Sequence, residues 1–268
     1  MTLLAGIDFS CNPSRTKPVT LATGRVLGAV LHLEDLAAMP RLAQLEDWLR
    51  TPDPWLGAFD FPFGLPRAFV DANGLGTSCA EVIAAVHARC PTRMAWRAFI
   101  DAWGNTQPAG ARLLHRRTDR ESGVGSTSPL QTRYVPVGFM YYEGLSRLVA
   151  ADVQIPGLRQ GDATRTAVEG YPGLLSHELI GRRSYKNSPQ ADRLIARKDM
   201  VDALEQGRTK LALRLKLSHA QRETLVDDAA GDRLDAVLCL AQAAWASAQP
   251  RLGLPLKIDP VEGWIVGG

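Results

Sequence analysis

The chain has 268 residues, 46% of them hydrophobic and 22% charged, with a formal net charge of +3. This is the composition of a globular chain long enough for a full hydrophobic core, and it excludes the low-complexity and disordered classes. No run approaches the roughly 18 apolar residues of a membrane span, no secretory signal is evident, and four cysteines without Cys-x-x-Cys spacing exclude a zinc knuckle or a disulfide framework. The expectation is a cytoplasmic protein with reduced thiols.

In chain order, Leu3 to Ser10 is an apolar run without polar alternation, which suits a strand buried on both faces that ends by presenting Asp8. Asp8 there reads equally as a carboxylate held at a sheet rim or as an ordinary turn residue. Val19 to Leu21 and Val26 to His32 predict a hairpin with Gly24 in its turn. Leu36, Leu42, Leu45, Trp48 and Leu49 recur at helical spacing and predict a helix over 34–50, stopped by Pro52 and Pro54. Trp55 to Phe59 is a second apolar strand ending in a carboxylate, Asp60, and helices are expected over 80–88 and 93–103.

Residues 104–136 form a Gly/Ser/Arg-rich stretch longer than the roughly 15 residues of a passive connection, which suits a lid or binding loop inserted in one domain. It carries Arg112, Arg116, Arg117, Arg120 and Arg133 against only Asp119 and Glu121. A second basic stretch, Gly207 to Arg222, holds no acid. Such clusters track phosphates or form solvated faces.

A helix over 137–151 follows, then a short strand over 167–172 that carries Glu169, then helices over 174–180 and 189–206. Leu211, Leu213, Leu215 and Leu217 alternate with polar residues, so strand and helix periods compete there. The last long helix, over 228–248, is apolar nearly all round after Asp235, so it is buried. Asp232 and Asp235 lie three apart and share one of its sides. Residues 259–266 predict a turn into a short final strand.

Asp8, Asp60, Glu169, Asp232 and Asp235 thus come from strand ends and one helix start, with no histidine or cysteine set competing. Each alone reads as a cap. Together they match the oxygen-rich environment of Mg²⁺ or Mn²⁺, ions that activate water in phosphodiester cleavage. Two carboxylates on a buried helix also need compensating charge, which a divalent cation supplies. Lys186 suits either a phosphate contact or pairing with an acid.

The motifs Gly6-Ile-Asp8-Phe-Ser10, Phe59-Asp60-Phe-Pro62-Phe-Gly64-Leu-Pro66, Glu169-Gly-Tyr171-Pro172, Tyr185-Lys186, Asp235-Ala-Val-Leu-Cys239 and Glu262-Gly-Trp264-Ile265 resemble the family known as domain of unknown function 429. Asp232-Arg-Leu-Asp235-Ala236 is similar to the C-terminal acidic helix of Holliday-junction resolvases. The resemblance implies an α/β, ribonuclease H-like three-layer fold: a mixed five-stranded sheet with helices on both faces, in one domain over 1–268. It implies a hydrolase of the nuclease or phosphodiesterase class, with Asp8, Asp60 and Asp235 as metal ligands, Asp232 beside them and Glu169 as an extra acid. Ser10, Arg116, Arg117 and Lys186 are the expected contacts to a partner that is nucleic acid or a phosphorylated small molecule. The alternatives are a nucleotide-binding kinase or ATPase of related topology, whose first strand shares Gly-Ile-Asp-x-Ser, and a catalytically silent binding module.

Overall fold

The computed structural model describes residues 2–121, 123 and 125–267. The apolar first strand, β1 (Leu3–Asp8), is followed by β2 (Val19–Leu27) and β3 (Val30–Met39), by α1 (Leu42–Leu49) and by β4 (Trp55–Phe59). Five helices then cross back: α2 (Arg67–Ala72), α3 (Cys79–Arg89), α4 (Arg93–Asn105), α5 (Arg117–Glu121) and α6 (Val137–Ala150). The chain continues through β5 (Val153–Gln154), β6 (Asp162–Glu169), α7 (Pro172–Ile180), α8 (Ala191–Glu205), β7 (Arg214–Lys216), α9 (His219–Asp227) and α10 (Asp232–Ser247).

The strands form one mixed α/β sheet in the order β5-β6-β4-β1-β2-β3-β7, in which β2 alone runs against the rest. The sheet has seven strands where five were expected. The additional two, β5 and β7, have two and three residues and sit at the two edges. β5 is too short to show a period in the sequence, and β7 settles the alternating stretch around Leu215 as strand; short edge strands deny other chains a pairing template.

Strand side chains alternate between two cores. Ala5, Ile7, Trp55, Phe59 and Ala167 face a cluster completed by α1, α3, α4 and α6. Leu4, Leu56, Ala58 and Val168 face the opposite cluster, completed by α7, α8, α9 and α10. The central helix α10 lies across β1, β2 and β4, and twelve of its sixteen residues are buried. It approaches β1 so closely that a Cβ on Gly6 would sit 2.1 Å from both the Ala236 carbonyl oxygen and the Leu240 nitrogen.

Several elements differ from the sequence expectation. The hairpin turns at Gly28, whose φ is +62°, and Gly24 lies within β2. Glu34 to Met39 belong to β3, not to a helix. A register shift between Thr23 and Gly24 leaves Glu34 unpaired, so Leu33 and Leu36 fall on the same side of the sheet although they are three residues apart. Of the five residues read at helical spacing, Leu36 lies in β3 and the other four in α1. The segment 104–136 carries α5, and α2 and α9 are helices that no clear period announced. The expected final strand is reduced to one bridge between Ile265 and Glu169.

Replacing Gly6 by alanine drives a methyl group into the α10 backbone and is expected to lower stability by about 3 kcal/mol or more. Urea unfolding of Gly6→Ala beside wild type measures this, and equal midpoints would show that α10 yields at no cost.

Candidate metal centre

The sheet register decides which acids meet. Ile7, Phe59 and Glu169 are neighbours across β1, β4 and β6, and in-register residues of parallel strands point to one face. Ile7 and Phe59 face the α1–α6 cluster, so Glu169 does too. Asp8 and Asp60, each one residue later, face α10. The Asp60 N–H donates to the Ile7 carbonyl at 2.9 Å, which extends the ladder and holds the two acids side by side. The first turn of α10 adds Asp235, and one carboxylate oxygen from each of Asp8, Asp60 and Asp235 lies within 4.8 Å of the other two.

The loop between α7 and α8 closes the site. The Lys186 ammonium pairs with Asp235 Oδ2, and the Tyr185 hydroxyl donates to Asp235 Oδ1 at 2.5 Å. Arg197 of α8, itself buried, fixes this loop by donating to the Tyr185 and Val226 carbonyls, both at 2.7 Å. Gly231, with φ +80°, precedes α10, and a Cβ there would lie 2.8 Å from Lys186 Cγ. A side chain at this position would push the lysine off Asp235.

Burial governs the charge state of the acids. It pushes the Asp8 carboxyl from its ordinary 3.8 to about 8; Lys186 and Lys17 pull it down, while Asp60 and Asp232 push it further up. Asp60 rises to about 6, again chiefly through burial, with Lys186 opposing and Glu169 adding. Lys186 opposes both shifts without cancelling them. The position of the three carboxylates at the N-terminus of α10 is favourable for anions but contributes only on the order of 1 kcal/mol.

The other expected residues lie elsewhere. Asp232 is the first residue of α10, half-buried, and acts on Asp8 through its charge rather than joining the three. Ser10 is buried two residues beyond Asp8 and is not among them. Glu169 is bound on both oxygens: Oε1 accepts from Arg116 Nη2 at 2.6 Å, and Oε2 accepts from Arg116 Nη1 at 2.8 Å and the Phe63 N–H at 2.9 Å. Arg116 differs most from expectation. It is 2% exposed and also donates to Asp119 and to the Glu262 carbonyl, so its donors serve the interior instead of a phosphate. The parity of β6 sends Glu169 to the aromatic face, where a buried carboxylate requires a buried cation. Arg117 is exposed, pairs with Glu121 at 2.8 Å and lies 5.9 Å from the Trp264 ring centre.

Two positioning residues carry no chemical motif of their own. Arg197 looks like any helical arginine in sequence. Glu262, in the Glu-Gly-Trp-Ile motif, accepts the N–H groups of Arg67 and Arg117, each at 2.8 Å, and so ties the C-terminal segment to α2 and α5. Comparison with known protein families, with curated proteins and with solved structures found no match to this chain.

Two outcomes follow from this charge pattern. A carboxyl with a higher pKa in the folded chain stabilises the fold only while protonated, so that contribution is complete below about pH 4 and is lost as pH rises through about 8. The unfolding free energy of metal-free wild type, relative to Asp8→Asn, is expected to fall across that window in denaturant titrations; a constant difference would place Asp8 in an unperturbed setting. Arg116→Met leaves Glu169 and Asp119 buried without their cation and should cost roughly 3–5 kcal/mol. Arg117→Ala should leave the unfolding midpoint unchanged, and equal effects of the two variants would contradict their different burial.

Proposed function

We propose that the chain is a metal-dependent phosphodiesterase of the nuclease class, with Asp8, Asp60 and Asp235 holding Mg²⁺ or Mn²⁺. The observation that carries this reading is the convergence of three carboxylates from two adjacent strand ends and one helix start. The donor set fits a hard cation, because it offers oxygen and neither imidazole nor thiolate. The raised carboxyl pKa values fit as well: burial disfavours the charged carboxylates, Lys186 offsets this only in part, and an added positive charge would favour the ionised form.

Fold and motif support the same reading. The five longer strands place a hairpin on one side of β1 and the parallel β4 and β6 on the other, as a ribonuclease H-like sheet requires. The likeness to domain of unknown function 429 rests on motifs at the ends of β1, β4 and β6, on Tyr185-Lys186, on the start of α10 and on the C-terminal Glu-Gly-Trp-Ile.

A divalent cation in such a site activates water and neutralises charge on a phosphoryl oxygen. The chain's own residues supply the rest. Asp8 and Asp60 are fixed by the β1–β4 ladder, so their oxygens keep their separation through the reaction. Tyr185 orients Asp235 through the hydrogen bond to Oδ1. Lys186, paired with Asp235 at the edge of the three acids, would attract a phosphate oxygen. The aromatic cluster of Phe9, Phe61 and Phe63 behind the acids excludes bulk water from one side.

Calorimetric titration of metal-stripped protein with Mn²⁺ tests the proposal. Specific binding is expected in wild type and absent in Asp8→Asn and Asp235→Asn, both of which remain folded. Tyr185→Phe, which removes only the orienting hydroxyl, should weaken binding by about 10- to 100-fold. Cleavage of a nitrophenyl phosphodiester should follow the same order. A wild-type protein that binds no Mn²⁺ would end this reading.

A further inference from the structure

Next to the carboxylates the structure holds a cavity of about 210 Å³ that Asp60 shares with the candidate metal centre. Its walls are mainly apolar: Phe61 follows Asp60, Val137 and Met140 come from α6, Ile265 from the C-terminal segment and Tyr171 from the start of α7. Val135, half exposed, stands at the rim, and the exposed Thr127 offers a hydroxyl there. Arg116 and Glu169 also line it, but each is spent on the other and on interior partners. No unbalanced charge among the described lining residues faces the interior except Asp60 at the metal-centre end.

The occupant is therefore neutral, largely apolar and small. A cavity of about 150 Å³ admits benzene, while sites for drug-sized ligands begin near 300 Å³, so this one suits a single ring system. A sugar would leave several hydroxyls without partners against these walls. Because Asp60 lines the cavity, a ring held there lies next to the place where the phosphodiesterase reading puts the phosphate. A nucleotide combines these features.

Resting on the phosphodiesterase reading, we propose that this cavity is a base subsite, which takes one unpaired nucleobase while the adjoining phosphate lies at Asp8, Asp60 and Asp235. A base held there is out of any stack, so the substrate is a free nucleotide or a nucleic acid with that base unpaired. Tyr134, 94% exposed and adjacent to Val135, is placed for a neighbouring base of a longer strand to stack on it.

The test compares thymidine monophosphate with deoxyribose phosphate, by calorimetry on the Mn²⁺-loaded protein. The nucleotide should bind about tenfold tighter or more, because only it buries a ring. Met140→Trp fills the cavity from within, and Val135→Trp closes it from an exposed loop position that leaves the core untouched. Each should abolish the difference while Mn²⁺ binding persists. Equal affinities for the two phosphates in wild type, or an unchanged difference in a folded Val135→Trp, would overturn the inference while leaving the metal reading intact. Saturation-transfer NMR with thymidine in metal-free buffer gives the converse. Base contacts that vanish in both tryptophan variants, in a protein that binds no Mn²⁺, would support the subsite and refute the metal site. A single-stranded oligonucleotide that displaces the nucleotide, weakened by Tyr134→Ala, identifies the base as part of a polymer. Failure of both single strand and duplex to displace it identifies a free nucleotide.

Discussion

The approach of α10 to β1 at Gly6 is the contact on which the candidate site depends. Two backbones meet there with no side chain between them, and the separation is set by hard-sphere repulsion rather than by adjustable packing. A wider gap would carry the first turn of α10 away from the strand ends, and Asp235 with it. The buried apolar length of α10, from Leu234 to Ala246, presses the helix onto the sheet, and Gly6 determines how close it comes. Core burial and site geometry are here the same interaction.

Charge balance on the two faces of the sheet follows from strand parity. On the α10 side, three acids share one lysine, and burial, with a smaller part from neighbouring acids, raises the Asp8 and Asp60 carboxyl pKa values despite it. On the other side, Glu169 and Asp119 share Arg116, and backbone N–H groups satisfy much of the remainder. The first group is under-compensated, which suits a site that gains a cation. The second is closed on itself, which suits a structural tie between α5, β6 and the C-terminal segment. Removing a partner from such a closed group is far more costly than its presence is stabilising.

The long segment 104–136 belongs to this tie. Arg116 and Asp119 anchor it beneath the sheet edge, and its far end, Val135, borders the cavity beside Asp60. This arginine-rich segment thus spends its central arginine inward and keeps the exposed Arg117 and Arg133 in surface pairs. Charge density read along the chain says nothing about which direction each guanidinium takes.

Much of this was legible in the sequence. The apolar runs before Asp8 and Asp60 could be strands buried on both faces, and α10 could only be a buried helix, because hydrophobic burial follows local pattern. The acids at their ends followed directly, as did Asp235 on the inner side of its helix. Local pattern failed where a long-range ladder overrode it: pairing with β2 carries β3 on through Met39 where the periodicity started a helix at Glu34, and the edge strands β5 and β7 pair on backbone that β6 and β3 offer. That Glu169 stands apart from the three acids the resemblance named as ligands, and that Arg116 turns inward to it, was decided by the tertiary structure alone. That choice depends on register between strands separated by some fifty to a hundred residues, and a shift of one residue would exchange the two faces of the sheet.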